Sequence, residues 1–275
     1  MWDRIEPLMP ADPVRGRRWA DHRRTLEAIA WKYRTNSPWR DLPDELGSFQ
    51  TAHKRLIRWA VDGTWEMIFA AVLAAADADD DLDWTVPVDS TVVRAHQQAA
   101  GARKGGGPPG RARRSRARTL PRRAEHQGPP GADGRARPLA FTVTAGQAGD
   151  APAFETVMSR IRVPRTGAGR PRTRPLAVLA DRAYSSCGIR NHLRRRGVRA
   201  VIPQPSDQIG HRLRRGRHGG RPPGFDSEAY KQRNTVERCI NHLKQWRGLA
   251  TRTDKLAIAY QAALHLAGIL IWTRR

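Results

Sequence analysis

The chain has 275 residues and carries 50 lysine and arginine residues against 26 acidic residues, which gives a formal charge of +24. A charge of this size favours a polyanionic partner, nucleic acid first and an anionic membrane surface second. The two cysteines, Cys187 and Cys239, form neither a CxxC pair nor a zinc-binding spacing, and the N-terminus lacks the apolar core of a signal peptide. We therefore expect a soluble protein in a reducing cytoplasm, without a membrane partner.

Residues 1–76 have the pattern of an all-helical region. Asp21 is placed to cap one helix, and a second helix is predicted after Gly47. The basic side chains of the second helix are expected to point outward and to bind DNA; they are Lys54, Arg55 and Arg58. Three short helices with a basic outer face suit a helix-turn-helix-like DNA-binding region. A plain helical bundle with a solvated basic face explains the pattern equally well, and the high net charge favours DNA.

An acidic run follows, and it consists of Asp77, Asp79, Asp80, Asp81 and Asp83. Its simplest interpretation is a solvated linker at residues 77–83. Residues 84–275 then alternate strand and helix patterns, which predicts an α/β domain. Strands are predicted around Asp89 and at residues 138–144, 176–180 and 199–202, and helices from Pro152, after Ser186, and at roughly 229–247 and 254–273. The apolar stretch 256–272 predicts a buried helix rather than a membrane span.

Two aspartates stand at strand positions, where this residue is disfavoured and costly to bury without a partner. Asp89 lies within a β-branched run, and Asp181 closes a short apolar strand. A third carboxylate, Glu237, lies in a predicted helix, four residues after Arg233. Three converging carboxylates would suit Mg²⁺ or Mn²⁺ and the two-metal chemistry of phosphoryl displacement. Scattered structural acids, with an ordinary Arg–Glu pair on a surface helix, explain the same residues without a metal.

The motifs VDSTVVRAH, LADRAYSS and Y-x2-R-x3-E-x6-K, the last followed by WRGLATRTDKLA, occur in this order. Together with WRDLP near the N-terminus, they resemble the DDE transposases of bacterial insertion sequences, in the branch with an RNase H-like catalytic domain. The resemblance covers most of the chain. It implies a catalytic, metal-binding triad with Mg²⁺, or Mn²⁺, as cofactor, formed by Asp89, Asp181 and Glu237. It also implies phosphate contacts near the cleavage point for Tyr230, Arg233 and Lys244.

Arg182, beside Asp181, has two equal interpretations, a DNA phosphate contact or an ion pair at the end of the sheet. The implied reaction uses water to cut the ends of the element and the freed 3′-hydroxyl to attack target DNA. The partners would be double-stranded DNA and a second copy of the chain, on the bacterial nucleoid. A noncatalytic DNA-binding remnant and a metal-dependent nuclease that cuts without joining are the alternatives.

The implied architecture is an RNase H-like mixed sheet flanked by helices at 84–275, after the helical region 1–76 and the acidic linker 77–83. A basic low-complexity segment at 103–137 departs from this pattern, because residues 105–137 hold nine arginines and only one large aliphatic residue, Leu120. No strand can be read there. A disordered basic loop that binds DNA and a compensated frameshift both explain the segment, and we favour the frameshift slightly. It predicts a sheet without an internal strand, a weakly held Asp89 and an inactive copy.

Overall fold

The computed structural model describes residues 1–12, 18–89, 91–95, 125–143 and 150–274. Over these residues the chain folds into a mixed α/β structure. Its helices are α1 (Trp2–Ile5), α2 (His22–Thr35), α3 (Phe49–Val61), α4 (Thr64–Ala78), α5 (Asp150–Arg160), α6 (Cys187–Arg195), α7 (Ser206–Arg214), α8 (Ser227–Tyr230), α9 (Thr235–Lys244), α10 (Arg247–Ala250) and α11 (Ala257–Thr273). Its strands are β1 (Thr85–Val88), β2 (Thr91–Ala95), β3 (Glu125–Ala132), β4 (Pro138–Val143), β5 (Ala177–Ala180), β6 (Arg199–Val201) and β7 (Thr251–Arg252).

The helices predicted for the N-terminal region are present, and three residues at their ends explain where they begin or end. A carboxylate oxygen of Asp21 accepts a 2.6 Å hydrogen bond from the backbone N–H of Arg24, which caps α2 as predicted. Asn36 ends α2 in the left-handed conformation, with φ of 60°. Gly63, with φ of 84°, makes the turn between α3 and α4. Local sequence signals therefore set the first two long helices.

Helix α11 is the centre of the hydrophobic core. It is buried nearly all round and packs against α3, α4 and β4. Most buried apolar residues of the N-terminal helices, the sheet and the C-terminal helices consequently form one continuous cluster, and Ala177, Leu179 and Val201 form a small separate one. The prediction of a buried C-terminal helix is confirmed. Within the described ranges, no single helix is both long and apolar enough to cross a membrane; α3 and α4 meet these limits only when taken together, across a bend of 72°.

A mixed sheet covers the other side of this core. Strands β1, β5 and β6 run parallel, in the order β6-β5-β1. On the opposite side of β1, strand β3 runs antiparallel to β1, β2 and β4. Strand β2 continues the line of β1 after Asp89, and β7 pairs with β2 in parallel. Asp89 therefore lies where one line of the sheet is interrupted between two strand segments.

Strand β3 lies inside the basic low-complexity segment, where the sequence predicts no strand. It pairs with β1 and β2 on one side and with β4 on the other. The predicted gap in the sheet, and with it the missing neighbour of β4, are therefore both wrong. Strand β1, which ends directly before Asp89, has a neighbouring strand on each side, β3 and β5. The prediction that Asp89 lacks a supporting strand is therefore wrong. Residues 103–124 lie outside the described ranges, so a basic loop there stays a prediction, as does a frameshift in the gene.

A β-bulge explains how β3 forms from a sequence with two consecutive prolines. Val88 pairs with Gly131 and Thr91 with Gln127, so three residue steps along β1–β2 correspond to four along β3. The pairing of β3 with β4 shifts at the same place. Pro129–Pro130 falls inside this irregularity, where the missing N–H groups remove no regular ladder hydrogen bond. The sequence pattern does not predict this strand because strand propensity depends on side chains, whereas β3 is defined by its main-chain pairing with three other strands.

The acidic run does not form a solvated linker, because two of its carboxylates are held by the residues that follow it. The Asp77 side chain is 6% exposed and accepts hydrogen bonds from Trp84 Nε1 at 2.7 Å and Arg172 Nη1 at 3.2 Å. Asp81 pairs with Arg137 Nη1 at 2.6 Å. The prediction of a solvated run is wrong for these two residues, since counting charges in the sequence does not reveal cations supplied from 56 and 95 residues away.

His265 is a buried titratable group in the centre of the core. Its ring lies beside those of Phe69 and Phe141, with centroid distances of 5.5 and 5.7 Å. Burial, followed by the charge of Arg160, lowers the pKa of His265 to about 4. In the unfolded chain the group titrates near its ordinary pKa of about 6.5. The unfolded state therefore gains a proton first as the pH falls, so His265 removes stability between pH 6.5 and 4.

We expect His265→Phe to reduce the loss of stability in acid. Between pH 7 and pH 4.5, the free energy of unfolding of the wild type should fall by about 2–3 kcal/mol more than that of the variant. Urea unfolding at both pH values measures this difference. The matched control is His218→Phe, at an exposed histidine; it should keep the acid sensitivity of the wild type. Equal pH dependence of His265→Phe and the wild type would contradict the assignment.

Candidate active site

Asp89 and Asp181 each follow directly after the last residue of a strand. β1 ends at Val88 and β5 ends at Ala180, and these two residues are register partners in a parallel pair. Neighbouring strands lie about 4.7–4.9 Å apart, so the two aspartates leave the sheet side by side at the same edge. One Asp181 oxygen accepts a 2.9 Å hydrogen bond from the backbone N–H of Ala183, which caps the 3₁₀ turn that follows. The sheet therefore brings together two acids that are far apart in the sequence.

Glu237 comes to this edge on helix α9. Val236, Ile240 and Leu243 are buried on the inner face of the helix, as the sequence predicts. This packing leaves the Glu237 side chain on the outer face, where it is 49% exposed. The predicted single helix from residue 229 is wrong in detail, because a 3₁₀ turn at Lys231–Asn234 separates α8 from α9. Arg233 lies in that turn and still reaches the carboxylate four residues later.

The guanidinium of Arg233 joins two of the predicted triad residues. Its Nη2 donates to Asp89 Oδ2 at 2.5 Å, and its Nη1 donates to Glu237 Oε1 at 2.6 Å. The side chains of Arg233 and Asp89 are 20% and 18% exposed, so this contact is partly shielded from water. The sequence interpretation included the pairing with Glu237 and missed the contact with Asp89, because residues 144 positions apart leave no local pattern. The carboxylates of Asp89 and Glu237 consequently lie on two sides of the same guanidinium group.

The chemistry of these residues fits a hard divalent cation. Carboxylate oxygens are the ligands that Mg²⁺ and Mn²⁺ prefer. In the part of the chain that the structure describes, no three His, Cys, Asp or Glu side chains are already grouped closely enough to hold a metal ion. Arg233 instead supplies the positive charge between Asp89 and Glu237. A cation at this position is therefore compatible with the local charges, and it requires Arg233 to move.

The other residues predicted near the cleavage point differ in how exposed their side chains are. Arg182 is exposed in the 3₁₀ turn directly after Asp181. Lys244 is exposed at the end of α9, seven residues and roughly 10 Å along the axis from Glu237. Tyr230 is half-buried, because its ring packs on Phe225 at 5.3 Å and on the apolar surface of β5 and β6. Arg182 and Lys244 are thus more accessible to a ligand than Tyr230.

On α3, the structure supports two of the three predicted outward cations. Lys54 and Arg58 are exposed, but Arg55 is only 4% exposed. The Arg55 guanidinium lies 3.8 Å from the ring centroid of Trp19 and 5.0 Å from that of Trp59. Burial, followed by the charge of Arg58, lowers the pKa of Arg55. The prediction that Arg55 points outward to bind DNA is wrong, since the segment before α2 folds over it.

Comparison with known families agrees with this arrangement. Residues 81–272 match the family described as the transposase DDE domain, and residues 1–69 match the family described as a putative transposase of the IS4/5 family. The chain therefore belongs to the DDE transposases of insertion sequences. The first match spans the described sheet, α9 and α11, so the candidate site lies within the part of the chain that defines the family.

Similar proteins are found in several bacteria. An uncharacterized protein of Sinorhizobium fredii (strain NBRC 101917 / NGR234) is 39% identical over 38% of this chain and 82% of its own length. The insertion element IS402 uncharacterized 16.2 kDa protein of Burkholderia cepacia is 36% identical over 40% of this chain and 78% of its own. A putative transposase for insertion sequence element IS6501 of Brucella ovis is 28% identical over 50% of this chain and 89% of its own. No solved structure matches the chain.

The different environments of Arg55 and Lys54 make a direct test of the α3 surface. Arg55→Ala should lower the free energy of unfolding by about 1–3 kcal/mol, because it removes a buried side chain from between two tryptophan rings. Lys54→Ala, at the neighbouring exposed position, should change it by less than about 0.5 kcal/mol. Urea unfolding of both variants measures the effect. An Arg55→Ala variant as stable as Lys54→Ala would contradict the buried position.

Proposed function

We propose that this protein binds the ends of an insertion sequence and catalyses metal-dependent DNA cleavage and strand transfer. Asp89, Asp181 and Glu237 are the proposed catalytic triad. Two observations carry the proposal: Asp89 and Asp181 directly follow register-paired strand ends, and Arg233 contacts both Asp89 and Glu237. The matched family and the position of the triad within its limits support the same reaction.

The strand order supports an RNase H-like catalytic domain. The segment β1–β2, then β3 and then β4 form an antiparallel meander. Strands β5 and β6 extend the sheet in parallel on the other side of β1. The described sheet is thus mixed and flanked by helices, as that fold requires. We propose the corresponding division into a helical DNA-binding region at 1–76, a connecting segment at 77–83 and a catalytic domain at 84–275.

The three triad carboxylates would hold Mg²⁺ or Mn²⁺. When bound, such ions activate the attacking oxygen and stabilise the leaving oxygen of a phosphodiester. Arg233, once released from Asp89 and Glu237, is free to donate two parallel hydrogen bonds to a DNA phosphate. Arg233 would pair with the carboxylates in the free protein and with a DNA phosphate in the complex. The net charge of the site would then be nearly balanced both with and without metal ions and DNA.

Phosphate contacts on either side of the triad complete the proposed DNA path. Arg182 lies directly after Asp181, and Lys244 lies beyond Glu237 on the same helix. These positions support phosphate contacts near the cleavage point for both residues. Tyr230 is proposed as a further contact through the exposed part of its side chain. Lys54 and Arg58 are the proposed contacts of a helix-turn-helix-like region with the element ends. We propose that two copies act together on element ends and target DNA in the bacterial cytoplasm.

Asp181→Ala tests the reaction. We expect Mg²⁺-dependent cleavage of DNA that carries the element ends to fall by roughly 10³-fold or more, while DNA affinity stays within about threefold, because the other DNA contacts remain. Cleavage assays and binding titrations measure the two quantities. The control is Asp207→Ala, at an exposed aspartate on α7; it should change neither. Undiminished cleavage by Asp181→Ala would refute the triad.

The wild-type protein in the same assays separates the alternatives. Joined strands support a transposase. Cleaved but never joined products support a metal-dependent nuclease instead. DNA binding without any cleavage, in Mg²⁺ and in Mn²⁺, supports a noncatalytic remnant.

Arg233→Gln tests the position of the cation site without relying on activity. The variant lacks the cation that Asp89 and Glu237 share, so Mn²⁺ should bind about tenfold more tightly in the absence of DNA, a difference of roughly 1.4 kcal/mol. Isothermal calorimetry with Mn²⁺ measures the affinity. Arg238→Gln, one residue after Glu237, changes the net charge equally and should leave the affinity unchanged. If both variants gain the same affinity, Arg233 does not compete for the ion.

A further inference from the structure

A second basic site lies away from the triad, in a pocket of about 530 Å³. We call it the arginine pocket. Its charged or aromatic lining residues are Arg34, Arg135, Arg137, His242, Trp246 and Arg274, and its other lining residues are uncharged. No acidic side chain lines the described pocket. Its walls come from α2, the turn between β3 and β4, the end of α9 and the end of α11, so the pocket exists only in the folded chain.

The arginines of the pocket fall into two pairs. Asp81 forms ion pairs with both Arg135 and Arg137. Arg137 also pairs with the buried Asp133 at 2.6 Å. Within the described residues no ion pair is found for Arg34 or Arg274, which both line the pocket. Partial burial of its guanidinium, followed by the charge of Arg274, lowers the pKa of Arg34, although the residue as a whole is exposed. The second pair therefore brings two positive charges close together with no carboxylate partner among the described residues, and such a pair is stabilised when an anion binds between them.

Trp246 gives the pocket a rigid floor. Its side chain is buried, and the Arg34 guanidinium stacks on its ring at 4.8 Å. Stacking holds the planar guanidinium in one orientation, so its donors are arranged in advance for a tetrahedral oxyanion. Arg137 is oriented in the same way, at 3.8 Å over Trp272. The volume exceeds that of a small inorganic anion and lies in the range of sites that hold ligands of nucleotide size.

The pocket faces away from the cleavage point. His242 and Trp246 are five and nine residues after Glu237 on α9 or just beyond its end, and at 3.6 residues per turn they are rotated from Glu237 by roughly 140° and 180°. A DNA strand bound at the triad along the Glu237–Lys244 face therefore does not enter the pocket. Any DNA in the pocket is a different segment from the strand that is cut.

We propose that the arginine pocket binds an internucleotide phosphate of duplex DNA outside the cleaved strand. Arg34 and Arg274 supply the charge, and the Trp246 stack fixes the orientation. The pocket joins the N-terminal helices to α9 and α11, so a phosphate there ties the DNA-binding region and the catalytic domain to the same duplex. This inference rests on the proposed action on DNA, and it adds an anchoring site that the triad does not provide.

The test measures the salt dependence of DNA binding by Arg34→Gln/Arg274→Gln, in the presence of EDTA so that no cleavage takes place. Each lost phosphate contact should reduce the slope of log K against log [salt] by about 0.9, so the double variant should lose about 1.8. The matched control is Arg162→Gln/Arg195→Gln, which removes two exposed arginines outside the pocket; it should lose less than about 0.5. Equal slopes for the double variant and this control would overturn the proposal.

Two further measurements keep the result interpretable. Arg274→Gln alone, at an exposed residue after α11, should lose about 0.9 in slope with an unchanged melting temperature, so a folding defect from the lost Arg34 stack cannot account for it. Inorganic phosphate is the second probe. If it stabilises the wild type but not the double variant while both bind DNA with the same slope, the pocket is a small-anion site and the DNA assignment is wrong. Failure of Mg²⁺-dependent cleavage by the wild type leaves these binding slopes unaffected.

Discussion

The parallel pairing of β1 with β5 is the constraint on which the rest of the site depends. Its register sets Val88 beside Ala180, and the next residue of each strand is one of the two aspartates. A shift by one residue would turn one of these carboxylates to the other face of the sheet. Helix α9 then brings Glu237 to the same edge through packing alone, by means of Val236, Ile240 and Leu243.

Like charges at one edge need compensation, and Arg233 supplies it. The chain carries a large positive charge overall, yet it gathers acids at the carboxyl ends of two central strands. A single guanidinium neutralises part of this charge by contacting two carboxylates from different parts of the chain. Arg233 thus balances part of the negative charge at this edge without any other cation. Under the proposed function, a DNA phosphate would be an equivalent partner for its guanidinium.

How much the sequence reveals depends on the range of the interaction. The cap at Asp21, the buried face of α9 and the apolar C-terminal helix follow from local spacing, and the structure confirms them. The contact between Arg233 and Asp89 does not follow from spacing, since only the folded sheet brings the two together. The prediction that Arg55 is exposed is wrong for a related reason. Helical periodicity predicts that a polar residue faces solvent, and it cannot show that Trp19 covers this side chain. The arginine pocket, built from four distant elements, has no local signal at all.

Strand β3 has a consequence for how such a chain can diverge. Its place in the sheet is secured by main-chain hydrogen bonds and a bulge that accommodates Pro129–Pro130, with neighbours on both sides. Hydrogen bonds of this kind make few demands on side-chain identity. Mutations that enrich arginine, glycine and proline can therefore change most side chains of β3 while the strand keeps its place in the sheet. Sequence divergence across the middle of the gene is consequently a poor measure of whether the element has lost its function.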